Sequence, residues 1–201
     1  MSGMEEFEVK YLDINPEEIQ KKLIAIGAKK VFDRIYHVKI FDYPDLRMNN
    51  DDAAWLRLRN EGDRVTLTYK QRYGMRGQGV KLDSGGENND GGMKEIEVVV
   101  DDFEKTAQIF YSIGLTDKFI EEKRRIRYVL GDIEFDIDYM PGLEPFLEIE
   151  SDSMERVEKG IELLGLNPDD KKIFSAFQIY ALAGINMLDY KAFTFDGLVK
   201  K

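Results

Sequence analysis

Cysteine is absent from the 201 residues. That excludes a disulfide scaffold, a thiol nucleophile and a Cys-ligated zinc. His37 is the single histidine, so no histidine-cluster metal site can form, and any His-based dyad or triad would have to use it. No run of about 18 apolar residues occurs, so no transmembrane helix is expected. The opening MSGMEEFEV lacks a basic stretch followed by an apolar one and does not read as a signal peptide. Positive charge is in deficit: 29 Lys and Arg stand against 39 Asp and Glu, for a formal net charge of −10. A balance of that sign argues against a broad nucleic-acid groove, though not against a local basic site. With 43% hydrophobic residues the chain is too apolar for disorder. The expectation is a soluble, cytoplasmic protein with no membrane association. Its chemistry must come from carboxylates, Lys, Arg, Tyr or an oxygen-liganded metal.

Three stretches share a layout, in which an acidic strand is followed by a helix that closes on glycine. They begin at Glu6-Phe-Glu8, Glu95-Ile-Glu97 and Glu148-Ile-Glu150, and the helices end at Gly27, Gly114 and Gly165. Asn15 before Pro16, Asp101 before Phe103, and Asp152 are the expected helix starts. Two hairpins are expected, one turning at Asn60-Glu-Gly-Asp63 and one at Gly131-Asp132. Residues 74–93 hold seven glycines and read as a mobile loop between strands. Residues 173–184 read as an apolar helix, and the tail beyond Leu188 gives no clear pattern. Strands joined by hairpins, with helices after some of them, suggest an α+β antiparallel sheet or barrel with helices packed outside.

Side chains alternate across a strand, so residues two apart share a face. By that rule Glu6, Glu8 and Lys10 share a face, as do Arg57 and Arg59, and Thr66, Thr68 and Lys70. Glu95 and Glu97 form another such set, as do Lys123, Arg125 and Arg127. Glu134, Asp136 and Asp138, and then Glu148 and Glu150, complete the series. Any sheet with one wet face alternates in this way. Here, however, the polar faces are almost wholly charged, and the charges come in blocks of one sign per strand. If helices cover the apolar faces, the charged ones turn inward, where unpaired charge is costly and a ligand must balance it. Lys and Arg suit a polyphosphate. Clustered carboxylates suit Mg²⁺ or Mn²⁺. Together they are the equipment of phosphoryl or nucleotidyl transfer.

Glu6-x-Glu8-x-Lys10 resembles the ExExK signature of the CYTH superfamily, the triphosphate tunnel metalloenzymes. Leu56-Arg57-Leu58-Arg59, Leu67-Thr68-Tyr69-Lys70, Glu95-x-Glu97, Glu122-Lys123-Arg124-Arg125, Asp138-Tyr-Met-Pro-Gly-Leu and Phe146-Leu-Glu148-Ile-Glu150 follow in that family's order, over residues 4–182. The resemblance implies one domain over residues 1–201, folded as a closed eight-stranded antiparallel barrel that forms a tunnel. It implies triphosphate binding by Lys10, Arg57, Arg59, Lys70, Lys123 and Arg125, with Arg127 as an additional base. It implies catalytic metal binding by Glu6, Glu8, Glu148 and Glu150. Glu97 and Asp138 match acidic positions that bind metal or orient neighbouring bases. Mg or Mn is the implied cofactor and a small-molecule triphosphate the implied partner, with a homodimer left open. Three activities fit. Hydrolysis of tripolyphosphate, thiamine triphosphate or a nucleoside triphosphate is favoured by the retained Glu148-x-Glu150 pair. The alternatives are a class IV adenylate cyclase and a non-catalytic polyphosphate or nucleotide binder. Tyr36 and Tyr69 are read as core residues more than as stacking platforms, and His37 as a surface or rim residue.

Overall fold

The computed structural model describes residues 7–72 and 93–201. The chain runs β1 (Phe7–Tyr11), α1 (Pro16–Ala25), β2 (Lys29–Asp42), α2 (Arg47–Asp52), β3 (Ala54–Asn60), β4 (Val65–Arg72) and β5 (Met93–Val100). It continues through α3 (Phe103–Ser112), β6 (Thr116–Leu130), β7 (Ile133–Tyr139), β8 (Phe146–Ser151) and α4 (Met154–Leu164). It ends with α5 (Ala176–Leu182), β9 (Tyr190–Thr194) and β10 (Gly197–Lys200). Glu6 and the expected loop at 74–93 lie outside the described residues, apart from Met93, which opens β5.

The helix starts show the capping chemistry foreseen in kind but not always in position. Asn15 caps α1, its side chain accepting from the backbone N–H of Glu17 and Glu18. For α3 the cap is Asp102 rather than Asp101, and for α4 it is Ser153 rather than Asp152. Each of these side chains reaches the N–H three residues on, which its neighbour cannot do. Asp152 instead pairs with Arg156, one turn along α4. Gly27, Gly114 and Gly165 end their helices at φ of +84°, +92° and +61°, the left-handed region that favours glycine.

The strands form one curled sheet in the order β1-β8-β7-β6-β2-β3-β4-β5, antiparallel throughout. The tail supplies two strands that were not foreseen: β9 pairs parallel with Ile120 and Glu121 of β6, and β10 folds back on β9. The sheet therefore carries ten strands rather than eight. Among the described residues no ladder joins β5 to β1, so the arrangement is a curled half-barrel rather than the closed barrel expected. At Lys10 the outer edge of β1 is already occupied. Its N–H and carbonyl bond to Lys172 at 2.7 and 2.9 Å.

Three apolar clusters fix the helices. Ile19 and Leu23 of α1 and Val157, Ile161 and Leu164 of α4 pack on Val9, Phe135, Ile137, Leu147 and Ile149. Those strand residues alternate with the charged ones, so the helices lie on the convex face. Gly160 lets α4 come close, because a Cβ there would stand 3.0 Å from Ile149 and 3.2 Å from Phe135. Ala107 and Phe110 of α3 cover Leu58 and Phe41 on the same convex side. The third cluster is placed differently. Ile179 and Tyr180 of α5 and Phe193 of β9 pack on Val38, Ile40, Phe119 and Phe146. Val38 and Ile40 share a face with Tyr36, Phe119 with Lys123, and Phe146 with Glu148. The C-terminal segment thus fills one end of the concave face with apolar side chains. No helix among the described residues is long and apolar enough to cross a membrane.

Candidate functional site

The charged residues occupy the rest of the concave face, placed there by strand register. Lys10 of β1 stands opposite Glu148 of β8, which stands opposite Asp136 of β7, itself opposite Arg127 of β6. One step along, Glu8 faces Glu150, which faces Glu134. On the other side Arg57 of β3 faces Thr68 of β4, which faces Glu97 of β5, while Lys70 faces Glu95.

Acid and base interlock on the β6–β7–β8–β1 side. The buried Arg125 guanidinium donates two bonds of 2.7 Å to the Asp138 carboxylate. It also pairs with Asp136 at 2.5 Å and with Glu148. Lys123 contacts Asp138 at 2.5 Å. Arg127 donates to both oxygens of Asp136, at 2.7 and 2.6 Å, and pairs with Glu134. The Lys10 ammonium lies 2.7 Å from Glu8 and 3.4 Å from Glu148. Burial opposes its charge, but those two carboxylates win and hold its pKa above the ordinary lysine value. Burial likewise opposes the Arg125 charge, and Asp138, Glu148 and Asp136 override it. Glu148 is held well below the usual carboxylate range: burial alone would raise it, but Lys123, Lys10 and Arg125 together prevail. Asp138 competes for the same cations, and burial, with Glu148 beside it, lifts it to about 6. The two carboxylates titrate as a pair.

The β3–β4–β5 side is less well satisfied. Arg57 Nη2 donates to Thr68 Oγ1 at 3.1 Å, and Thr68 in turn donates to Glu97 at 2.7 Å. Lys70 pairs with Glu95, and Arg59 with Glu61 in the β3–β4 turn at 2.5 Å. The Nε atoms of Arg57 and Arg59, the Thr66 hydroxyl oxygen and Glu61 Oε1 are buried with no hydrogen-bond partner among the described residues. Burial and the neighbouring Arg59 bring Arg57 down to about 10. Burial and Arg57 lower Lys70 as well. Buried polar groups are normally hydrogen-bonded, so the Arg57 and Arg59 Nε groups stand out.

Lys10, Arg57, Arg59, Lys70, Lys123, Arg125, Arg127, Glu8, Glu97, Asp138, Glu148 and Glu150 therefore all belong to strands that contribute this face, while Glu6 is not described. Glu148 is taken up in ion pairs, whereas Glu150 lies with Glu134 and Asp136 such that one oxygen from each falls within 4.8 Å of the others. Glu134 and Asp136 carried no assigned role in the sequence reading. Their signal was the Glu134-x-Asp136-x-Asp138 alternation, which shows a shared face but not which neighbour each residue meets. Tyr36 is buried on this face, with the Arg59 guanidinium 5.1 Å from its ring centre. His37 is exposed, 3.5 Å from Glu122.

The CYTH domain profile matches residues 4–172. A Methanocaldococcus jannaschii protein provisionally named an adenylate cyclase is 32% identical over 158 residues, or 78% of this chain and 82% of that one. A Vibrio parahaemolyticus structure provisionally named an adenylate cyclase superposes with a TM-score of 0.69 at 16% identity, covering 90% of this chain and 99% of that one. A Hippeastrum protein, provisionally named an adenylyl cyclase and described as having a dominant triphosphatase activity, superposes with a TM-score of 0.56 at 14% identity, covering 90% and 95%. Profile match, relative and charged concave face agree: the chain belongs to the CYTH domain family.

Proposed function

We propose that this chain is a metal-dependent enzyme that hydrolyses a triphosphate-containing small molecule on the concave face. The observation that carries the reading is a set of unsatisfied donors and a row of carboxylates on one surface. Among the described residues the buried Nε–H groups of Arg57 and Arg59 have no acceptor. Across the face, Glu8, Glu150 and Glu134 stand side by side on three adjacent strands, and like charges directly opposite one another repel. A polyphosphate would satisfy the donors, and a divalent cation would bridge the carboxylate row.

The donor set suits such an ion: it is all carboxylate oxygen, with no sulfur or imidazole, as Mg²⁺ and Mn²⁺ prefer. Glu8, Glu134 and Glu150 would hold it, with Asp136 and Glu148 beside them. When bound, the ion would neutralise charge developing on the phosphoryl group. Arg57, Arg59 and Lys70 bind phosphate oxygens from the β3–β4 side. Lys10 and Lys123 reach from the other side, and Lys10, which keeps its proton, acts as a cationic donor. Arg125 and Arg127 are already saturated by carboxylates and set the positions of Asp136, Asp138 and Glu148. The apolar end formed by Phe119, Phe146, Tyr180 and Phe193 keeps water from that side of the cradle.

Cyclisation of ATP is the second reading, supported by the name of the M. jannaschii relative. Hydrolysis is preferred because Glu148 and Glu150 are both retained on this face, and the Hippeastrum neighbour is described as chiefly a triphosphatase. A pure binder would not need the acidic row. The test is incubation with tripolyphosphate, thiamine triphosphate and ATP in the presence of Mg²⁺ or Mn²⁺. Orthophosphate without a cyclic product is the expected outcome. Cyclic AMP with pyrophosphate would replace this reading by the cyclase, and tight binding without turnover would replace it by the binder.

A further inference from the structure

Glu121 lies on the concave face of β6, two residues before Lys123 and opposite Val38 of β2, which is itself opposite Arg59 of β3. Its backbone pairs with Phe193 of β9. It thus stands where the charged face meets the apolar end formed by Phe119, Tyr180 and Phe193. Among the described residues its carboxylate has no hydrogen bond and no ion pair. Lys123 turns instead to Asp138 and Arg57 to Thr68 and Glu97. The side chain is half-buried. Burial holds its pKa above the ordinary carboxylate value, and the charges of Lys123 and Arg57 only partly offset that.

The groups facing Glu121 are few. Lys123 comes from its own strand, Arg57 and Arg59 from β3, and Tyr180 from α5. Burial keeps the Tyr180 phenol protonated, and its hydroxyl donates to the Pro141 carbonyl at 2.9 Å. Strands β2 and β9 contribute the apolar Val38 and Phe193. A polyanion held by Arg57, Arg59 and Lys123 brings several negative charges to this carboxylate, and like charges in a shared low-dielectric site cannot all stay ionised. Protonation relieves the conflict and makes Glu121 a hydrogen-bond donor of the kind that bonds strongly to an anionic oxygen.

We propose that Glu121 meets bound polyphosphate as a carboxylic acid, donating its O–H to a phosphate oxygen, so that the anion enters together with one proton. The proton comes from solvent and returns there on release, and no other bond is made or broken. This rests on the polyphosphate reading of the concave face and adds a positioning residue to it.

Calorimetry of tripolyphosphate binding, without divalent cation so that no turnover occurs, tests it. Titrations run in buffers of different ionisation heat give the number of protons taken up. Wild type should take up protons at pH 7 to 8 and weaken by up to about tenfold per pH unit as the acid form becomes scarce. Glu121→Gln keeps a donor at that position without the proton. It should take up as much as one proton fewer, bind more tightly than wild type at pH 8, and lose most of the pH slope. Glu121→Ala should lose the same proton but bind more weakly than Glu121→Gln at every pH. An infrared difference spectrum of wild type should show a protonated carboxyl band appearing on binding. Unchanged proton uptake in both variants, with tripolyphosphate still bound, would overturn the role of Glu121 and leave the site standing. Failure of wild type to bind tripolyphosphate at all would overturn both.

Discussion

On the β6–β7–β8–β1 side of the concave face, Arg125 sits among Asp136, Asp138 and Glu148, and each of its charges is answered. On the β3–β4–β5 side, Arg57 and Arg59 keep buried Nε groups without an acceptor. The same residue type in the same kind of strand is structural in one place and unsatisfied in the other. What differs is how the acids are placed: β7 and β8 surround Arg125 with Asp136, Asp138 and Glu148, whereas Arg57 lies opposite Thr68 of β4 and meets Glu97 of β5 only at 3.4 Å. The first side is internally paired, and the second is where the proposed reading places the anion.

The largest effect should come from breaking the paired side. Arg125→Met leaves Asp136, Asp138 and Glu148 buried with too few cations, and removing one partner of a buried pair costs about 3–5 kcal/mol. Urea denaturation should show that loss, and a drop below about 1 kcal/mol would mean the two sides are not different in kind. Arg57→Met should do the reverse. Its charge is buried at a cost that its few bonds barely offset, so stability should move by no more than about 1 kcal/mol. Tripolyphosphate affinity should meanwhile fall about 10–100-fold, the worth of a charge-assisted hydrogen bond.

The paired side should also show its own pH dependence. Asp138 holds its proton to about 6, above an unfolded aspartate at about 3.9. Between those values the folded state binds more protons, so stability falls as pH rises from about 4 to about 6. Glu148 is shifted the other way, and its contribution is lost as pH falls below the unfolded glutamate value of about 4.3. Asp138→Asn should abolish the decline between about pH 4 and 6, readable from thermal midpoints across that range. The smallest effect belongs outside the cavity. Arg124 pairs with Asp33 at 2.9 Å on the exposed convex face, and Asp33→Asn should cost less than about 1 kcal/mol and leave binding unchanged.

Much of this architecture could be read in the sequence, because alternation states which residues share a face and hairpin turns state which strands are neighbours. Arg57, Arg59 and Lys70 could be grouped on those grounds, and Lys123 with Arg125; that both groups belong to one site followed from the resemblance to the CYTH superfamily. Alternation does not state which strand lies across from which, so the distribution of partners stayed hidden. That Lys10, Lys123 and Arg125 surround Glu148 was not legible from its place in the Glu148-x-Glu150 pair. Glu134 and Asp136 were visible as a pattern but not as neighbours of Glu150. Glu121 precedes the Glu122-Lys123-Arg124-Arg125 motif and had nothing to mark it. The tail defeated sequence reading for another reason. Phe193 is buried by residues distant along the chain, so the segment beyond Leu188 carries no local periodicity of its own. The bond between Lys10 and Lys172 is made by backbone atoms and leaves no trace in side-chain pattern.

Anomalous diffraction from crystals soaked with Mn²⁺ and tripolyphosphate would test the central claim most directly. The account predicts a manganese peak bound by carboxylates among Glu8, Glu134 and Glu150, with phosphate oxygens on the Arg57 and Arg59 guanidinium groups. Manganese confined to the convex surface, with Arg57 and Arg59 still lacking an acceptor, would contradict it.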